Sequence, residues 1–124
     1  MNELLQKWVN AVKSGDPKQV INLYLEDGIL LGTFSNKERV GHELILEYFE
    51  NLLKQPVEVQ IISENSHVFV SDAVNSGHYN FVVTGIEEGS PTPIIFKARF
   101  SFVYRKDNGE WKIISHHSSV MPET

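Results

Sequence analysis

Apolar residues recur at helical spacing through the first half of the chain and at strand spacing through the second. Leu4, Leu5, Trp8, Val9 and Val12 form one stripe at i, i+4 and i+8, which predicts a first helix ending at Ser14-Gly15. Asp16-Pro17 restarts the chain as an N-cap followed by proline at the first helical position, where its missing N–H costs nothing. Val20, Ile21, Leu23 and Tyr24 give a short second helix its apolar side, and Glu26-Asp27-Gly28 closes it as a turn. Residues 29–33 predict a small strand and residues 36–40 a polar connection. From His42 the positions Leu44, Ile45, Tyr48, Phe49, Leu52 and Leu53 give the clearest helical stripe in the chain, and Pro56 ends it.

Beyond Pro56 the pattern alternates. Val57, Val59 and Ile61 begin a strand that runs on through Val68 and Val70, with a bulge at residues 63–66, and Ser71-Asp72 is a tight turn. Residues 73–84 predict the next strand, with Tyr79, Phe81 and Val83 on one face. Residues 85–93, rich in Gly, Pro, Ser and Glu, predict a loop. Phe96, Ala98, Phe100, Phe102 and Tyr104 alternate cleanly, Asp107-Asn108-Gly109 is a hairpin turn, and residues 111–119 form the last strand. Strands of about 12 residues are twice the usual length. Joined by tight turns they predict a strongly curved antiparallel meander whose concave side is closed by three N-terminal helices. The fold class is therefore α+β and cone-shaped, with an apolar cavity where the helices leave the curve unfilled.

Composition narrows what such a fold can do. With 124 residues, 41% of them hydrophobic, the chain fits one domain over residues 1–124 that buries about two thirds of its unfolded surface. It has no cysteine, which excludes disulfides, thiolate zinc sites, iron–sulfur clusters and cysteine nucleophiles. Eleven Lys+Arg against sixteen Asp+Glu give a net charge of −5, and the basic residues are scattered. No basic face is available to displace counterions from phosphates, so nucleic acid is not expected as a partner. No apolar run approaches the roughly 18 residues of a membrane span. Residues 1–8 lack the basic start and continuous apolar stretch of a secretion signal. The expectation is a cytoplasmic protein with no membrane partner.

The order of several segments resembles the nuclear transport factor 2-like superfamily, SnoaL-like proteins included. Within it, the chain is most similar to the calcium/calmodulin-dependent protein kinase II association domain and its free-standing bacterial relatives. WVNAVKSGD from Trp8 to Asp16, Tyr48-Phe49-Glu50-Asn51-Leu52-Leu53, His67-Val68-Phe69-Val70 and Ser76-Gly77-His78-Tyr79 carry the first half of the likeness. RFSFVY from Arg99 to Tyr104, Gly109-Glu110-Trp111 and Ile114-Ser115-His116-His117-Ser118-Ser119 carry the second. The likeness covers nearly the whole chain, which has no glycine-rich loop, HRD or DFG element of a kinase. It implies a cystatin-like cone that self-associates through the outer face of its sheet and holds a pocket inside. The basic residues that line the association-domain pocket fall here on Ile45, Phe81, Phe102 and Ser118, none of them basic. A carboxylate would lack charge-assisted partners there, so the expected ligand is small and apolar or aromatic. With Tyr24, Phe49 and Arg39 these four make up the expected pocket.

The same superfamily contains ketosteroid isomerases, polyketide cyclases and dehydratases, which set an Asp or His base beside a Tyr or Asp donor in apolar surroundings. His116, Tyr24, Tyr48 and Tyr79 are the candidates for such roles. Strand parity places His116 with Ile114 and Ser118 on the pocket face. No carboxylate stands in mid-strand: Asp72 and Asp107 lie in predicted turns and Asp27 follows a predicted helix. His116 and His117, as strand neighbours, point to opposite faces and cannot chelate one ion, and His42, His67 and His78 have no carboxylate at ligand spacing. No metal and no cofactor are therefore expected. On the outer face Arg99, Ser101, Val103, Trp111 and Ile113 mix small, apolar and polar groups as a sheet-to-sheet homodimer would. Arg99 in mid-strand calls for a carboxylate across that interface or a pocket ligand, the interface being the favoured partner. The expected function is thus a stand-alone, homo-oligomerising association-type domain that binds a small molecule or serves assembly. A cofactor-free isomerase or cyclase and a protein-binding module are the alternatives.

Overall fold

The computed structural model of the protein describes residues 2–87 and 89–123. Helix α1 (Asn2–Ser14) turns Leu5, Trp8, Val9, Ala11 and Val12 inward, and Gly15 at φ 76° ends it. Helix α2 (Pro17–Ile21) starts as expected: the Asp16 side chain accepts from the Lys18 N–H at 2.9 Å, with proline at the first turn. Strands β1 (Tyr24–Leu31) and β2 (Arg39–Val40) precede α3 (His42–Leu52), which buries Ile45, Tyr48, Phe49 and Leu52. The long strands β3 (Val57–Val68), β4 (Asp72–Glu87), β5 (Ser90–Asp107) and β6 (Glu110–Val120) follow. Among the described residues the six strands form one curved sheet in the order β2-β1-β6-β5-β4-β3, with the helices on its concave side. Each large apolar side chain withdrawn into this core contributes about 1.5–3 kcal/mol.

The structure corrects the sequence reading at five places. Tyr24 is not the end of a helix; it opens β1, and Glu26-Asp27-Gly28 lies inside that strand at the register shift between Tyr24 and Ile29. The sheet is mixed, because β1 runs parallel to β6 while the other neighbours are antiparallel. Residues 85–93 are no open loop: Gly85 pairs with Thr92 and Glu87 with Ser90, which extends the β4–β5 hairpin (Glu88 lies outside the described residues, as do Met1 and Thr124). The bulge in β3 is narrower than residues 63–66 and falls at Ile62, between the pairs Ile61–Tyr79 and Ser63–His78.

The fifth correction concerns which way β6 faces. Tyr104 pairs with Ile113 and Val103 with Ser115, which leaves Ile114 as an extra residue. An extra residue reverses side-chain parity. Ile113 therefore sits in the core at 2% exposure, on the same side as His116 and Ser118, and not on the outer face. Trp111 also packs against the core, with the Lys106 ammonium 5.3 Å from its ring centroid. Of the five expected outer-face residues, Arg99 and Ser101 are exposed and Val103 is half-buried on the outside.

Candidate functional site

Two neighbouring features stand out: a polar string sealed in the core, and an open cleft between α3 and the far end of the β4–β5 hairpin. The string begins on α1. Trp8 Nε1–H donates to Tyr24 Oη (3.1 Å), and Tyr24 donates to His116 Nδ1 (2.8 Å). His116 Nε2–H then donates to Tyr79 Oη (3.2 Å), Tyr79 donates to Ser118 Oγ (2.6 Å), and Ser118 meets Thr33 Oγ1. With Tyr79's only hydrogen committed to Ser118, the Nε2–H tautomer satisfies every member. Phe102 stacks on the His116 ring at 3.9 Å and Trp8 meets it edge-on at 5.2 Å. Burial, and secondarily the neighbouring His117, pull the His116 pKa down to about 3. Burial likewise pushes the Tyr24 and Tyr79 hydroxyls well above the usual tyrosine range. The string is neutral and closed: three of the four catalytic candidates meet there, but none of their side chains reaches open space.

The fourth candidate, Tyr48, belongs to the cleft. This cavity of about 430 Å³ is walled by Phe34, Leu52, Val83, Ile94 and Phe96, with Arg39, Tyr48, Ser35, Asn51 and Gln55 as its polar groups. Phe34 leans edge-on against Phe81 and Phe96 at 5.3 and 5.0 Å. Arg39 is 5% exposed and held from below: it donates to the Leu44 carbonyl (2.8 Å), Glu47 Oε1 (2.9 Å) and Ser35 Oγ, and its guanidinium lies 5.6 Å from the Tyr48 ring centroid. The Arg39 hydrogen bond, reinforced by its charge, holds the half-exposed Glu47 carboxyl below the usual range. Burial pushes the Tyr48 hydroxyl up to about 12, with the Phe34 and Thr33 backbone opposing it.

The expected pocket is thus divided. Arg39 lines the cleft, whereas Tyr24, Ile45, Phe49, Phe81, Phe102 and Ser118 are at most 4% exposed and form the packed floor behind it. Sequence reasoning missed Phe34, Asn51, Gln55, Val83 and Ile94 as wall residues. The available signal was Phe34 itself, a lone large aromatic in a run of Gly, Thr, Ser and Asn. No group of three or more His, Asp or Glu among the described residues is placed to hold a metal ion.

A model of the SnoaL-like domain matches residues 1–123. The chain belongs to the SnoaL-like domain family. A protein of Xanthomonas campestris assigned to the calcium/calmodulin-dependent protein kinase II association domains is 38% identical over 98% of this chain and 85% of its own, with a TM-score of 0.88. Two solved structures of lower identity share the fold alone. A nuclear transport factor 2-like protein of Salmonella enterica (19% identity, TM-score 0.81) covers 98% of this chain and 89% of its own. A ketosteroid isomerase-like protein of Erwinia carotovora (18% identity, TM-score 0.77) covers 98% and 93%. Among the described residues of this SnoaL-like chain no helix is long and apolar enough to cross a membrane.

Proposed function

We propose that this SnoaL-like chain is a non-catalytic, self-associating domain that takes a small, largely apolar molecule into the cleft. The observation that carries the reading is the separation of the two features. Three of the four candidate acid–base groups are sealed in the core, where burial holds the His116 pKa far below working pH. The cleft offers apolar walls around a few polar groups, the usual make-up of a binding pocket, and no histidine, aspartate or glutamate lines it. Self-association rests on the outer sheet face. Arg99 is exposed in mid-strand with no carboxylate partner among the described residues, flanked by Ser101 and the exposed His117. A second copy laid on this face would supply the missing partner.

Native mass spectrometry of the purified protein tests both halves, since one spectrum reads the subunit count and any retained small molecule. An oligomer that carries a defined extra mass is the expected result. A bare monomer that takes up no apolar probe on titration contradicts it.

A further inference from the structure

Tyr48 brings to the cleft a hydroxyl hydrogen that no described residue accepts. Tyr48 Oη accepts the Phe34 backbone N–H at 3.2 Å, which occupies the oxygen from the loop side. The hydroxyl hydrogen finds no acceptor among the described residues, although Tyr48 is 95% buried by its 5% exposure and lines the cavity. A donor that faces the cleft with no protein acceptor is free to bond an acceptor on an occupant. The ring lies so close to Gly32 that a Cβ there would overlap it, and the Arg39 guanidinium sits 5.6 Å from its centroid. Arg39 for its part is already matched to Glu47, so the cleft presents a neutral ion pair and not a bare cation.

We propose that Tyr48 is the specificity-determining residue of the cleft, donating its hydroxyl hydrogen to an uncharged acceptor on a mostly apolar ligand. This rests on the cleft being a binding pocket, as proposed above. The ligand class follows from the walls and the donor together: an apolar body seated between Phe34, Leu52 and Phe96, and one neutral acceptor such as a carbonyl or ether oxygen at its inner end. A carboxylate gains little, because Glu47 already holds the arginine and leaving water costs the anion more than the neutral group.

Three probes of one shape separate the possibilities: 2-acetylnaphthalene, 2-ethylnaphthalene and 2-naphthoate, each titrated into the intact protein and followed by the amide resonance of Phe34. The ketone is expected to bind about tenfold more tightly than the hydrocarbon and than the carboxylate. Tyr48→Phe keeps the ring and is expected to abolish the ketone's advantage while leaving hydrocarbon affinity within about twofold. Gly32→Ala, which displaces the ring, is expected to do the same. Equal binding of ketone and hydrocarbon to the unaltered protein overturns the role of Tyr48 and leaves the cleft standing. So does a ketone preference that survives Tyr48→Phe, or a preference for the carboxylate. Failure of all three probes to bind overturns the cleft reading along with this inference.

Discussion

His116 Nδ1 accepts the Tyr24 hydroxyl at 2.8 Å, which joins the start of β1 to a residue 92 positions later in β6 and fixes which ring nitrogen carries the proton. Nε2 must then hold the hydrogen and give it to Tyr79. Nitrogen-15 shifts of the imidazole check this directly. A neutral ring with Nε2 protonated is expected throughout pH 5–8, whereas an Nδ1–H tautomer, or protonation near pH 6, would refute the string as drawn.

The depressed His116 pKa also sets a pH dependence of stability. The unfolded histidine takes a proton below about 6.5 while the folded one does not until about 3. The unfolded state thus binds more protons in that window, so the stability linked to His116 is intact above pH 6.5 and declines as pH falls toward 3. The limiting slope is about 1.4 kcal/mol per pH unit. Urea unfolding of the unaltered protein and His116→Gln at several pH values should show this slope only in the former. The variant itself should lose about 1–3 kcal/mol at pH 7 from the broken string.

Gly77 faces the bulge at Ile62, where the carbonyl of Ser63 comes so close that a Cβ would overlap it. Gly77→Ala forces β3 and β4 apart, an overpacking that costs about 1–3 kcal/mol. A lowered denaturant midpoint with an unchanged slope is the expected outcome. Unaltered stability would mean that the bulge relaxes without cost.

Arg39 and Glu47 should respond unequally. Arg39 is buried and satisfies the Leu44 carbonyl, so Arg39→Met strands that acceptor and should cost about 1–3 kcal/mol. Glu47 is half exposed, and Glu47→Gln keeps an acceptor in place, so its melting temperature should stay close to that of the unaltered chain. Equal losses would show that the ion pair, and not the carbonyl contact, holds the residue.

Local patterning was enough for α1, α3, the alternating core of β5 and the Asp107-Asn108-Gly109 turn, where Asn108 and Gly109 take the positive φ of a two-residue hairpin. It failed where distant pairing decides. Tyr24-Leu25-Glu26-Asp27-Gly28 reads as a helix end and a turn, and becomes strand only because β6 arrives alongside it. Pro91 and Pro93 disguise the β4–β5 hairpin. Ile114 reverses the face of Ile113 without any mark in composition. Parity put His116 and Ser118 on one face, but the string that ties them to Tyr24 and Tyr79 is visible only in the fold. The cleft did not, because its walls come from a loop, a helix and two strand ends that only the fold brings together.

The most direct test of the account is where an apolar probe lands. Titrating 2-ethylnaphthalene into the isotope-labelled protein should shift the amides of Phe34, Leu52, Val83 and Phe96, and Ile94→Trp, which fills the cleft from its exposed rim, should abolish those shifts. Shifts centred instead on Leu4, Tyr104 and Trp111 at the opposite end of the sheet, or unchanged binding in Ile94→Trp, would contradict it.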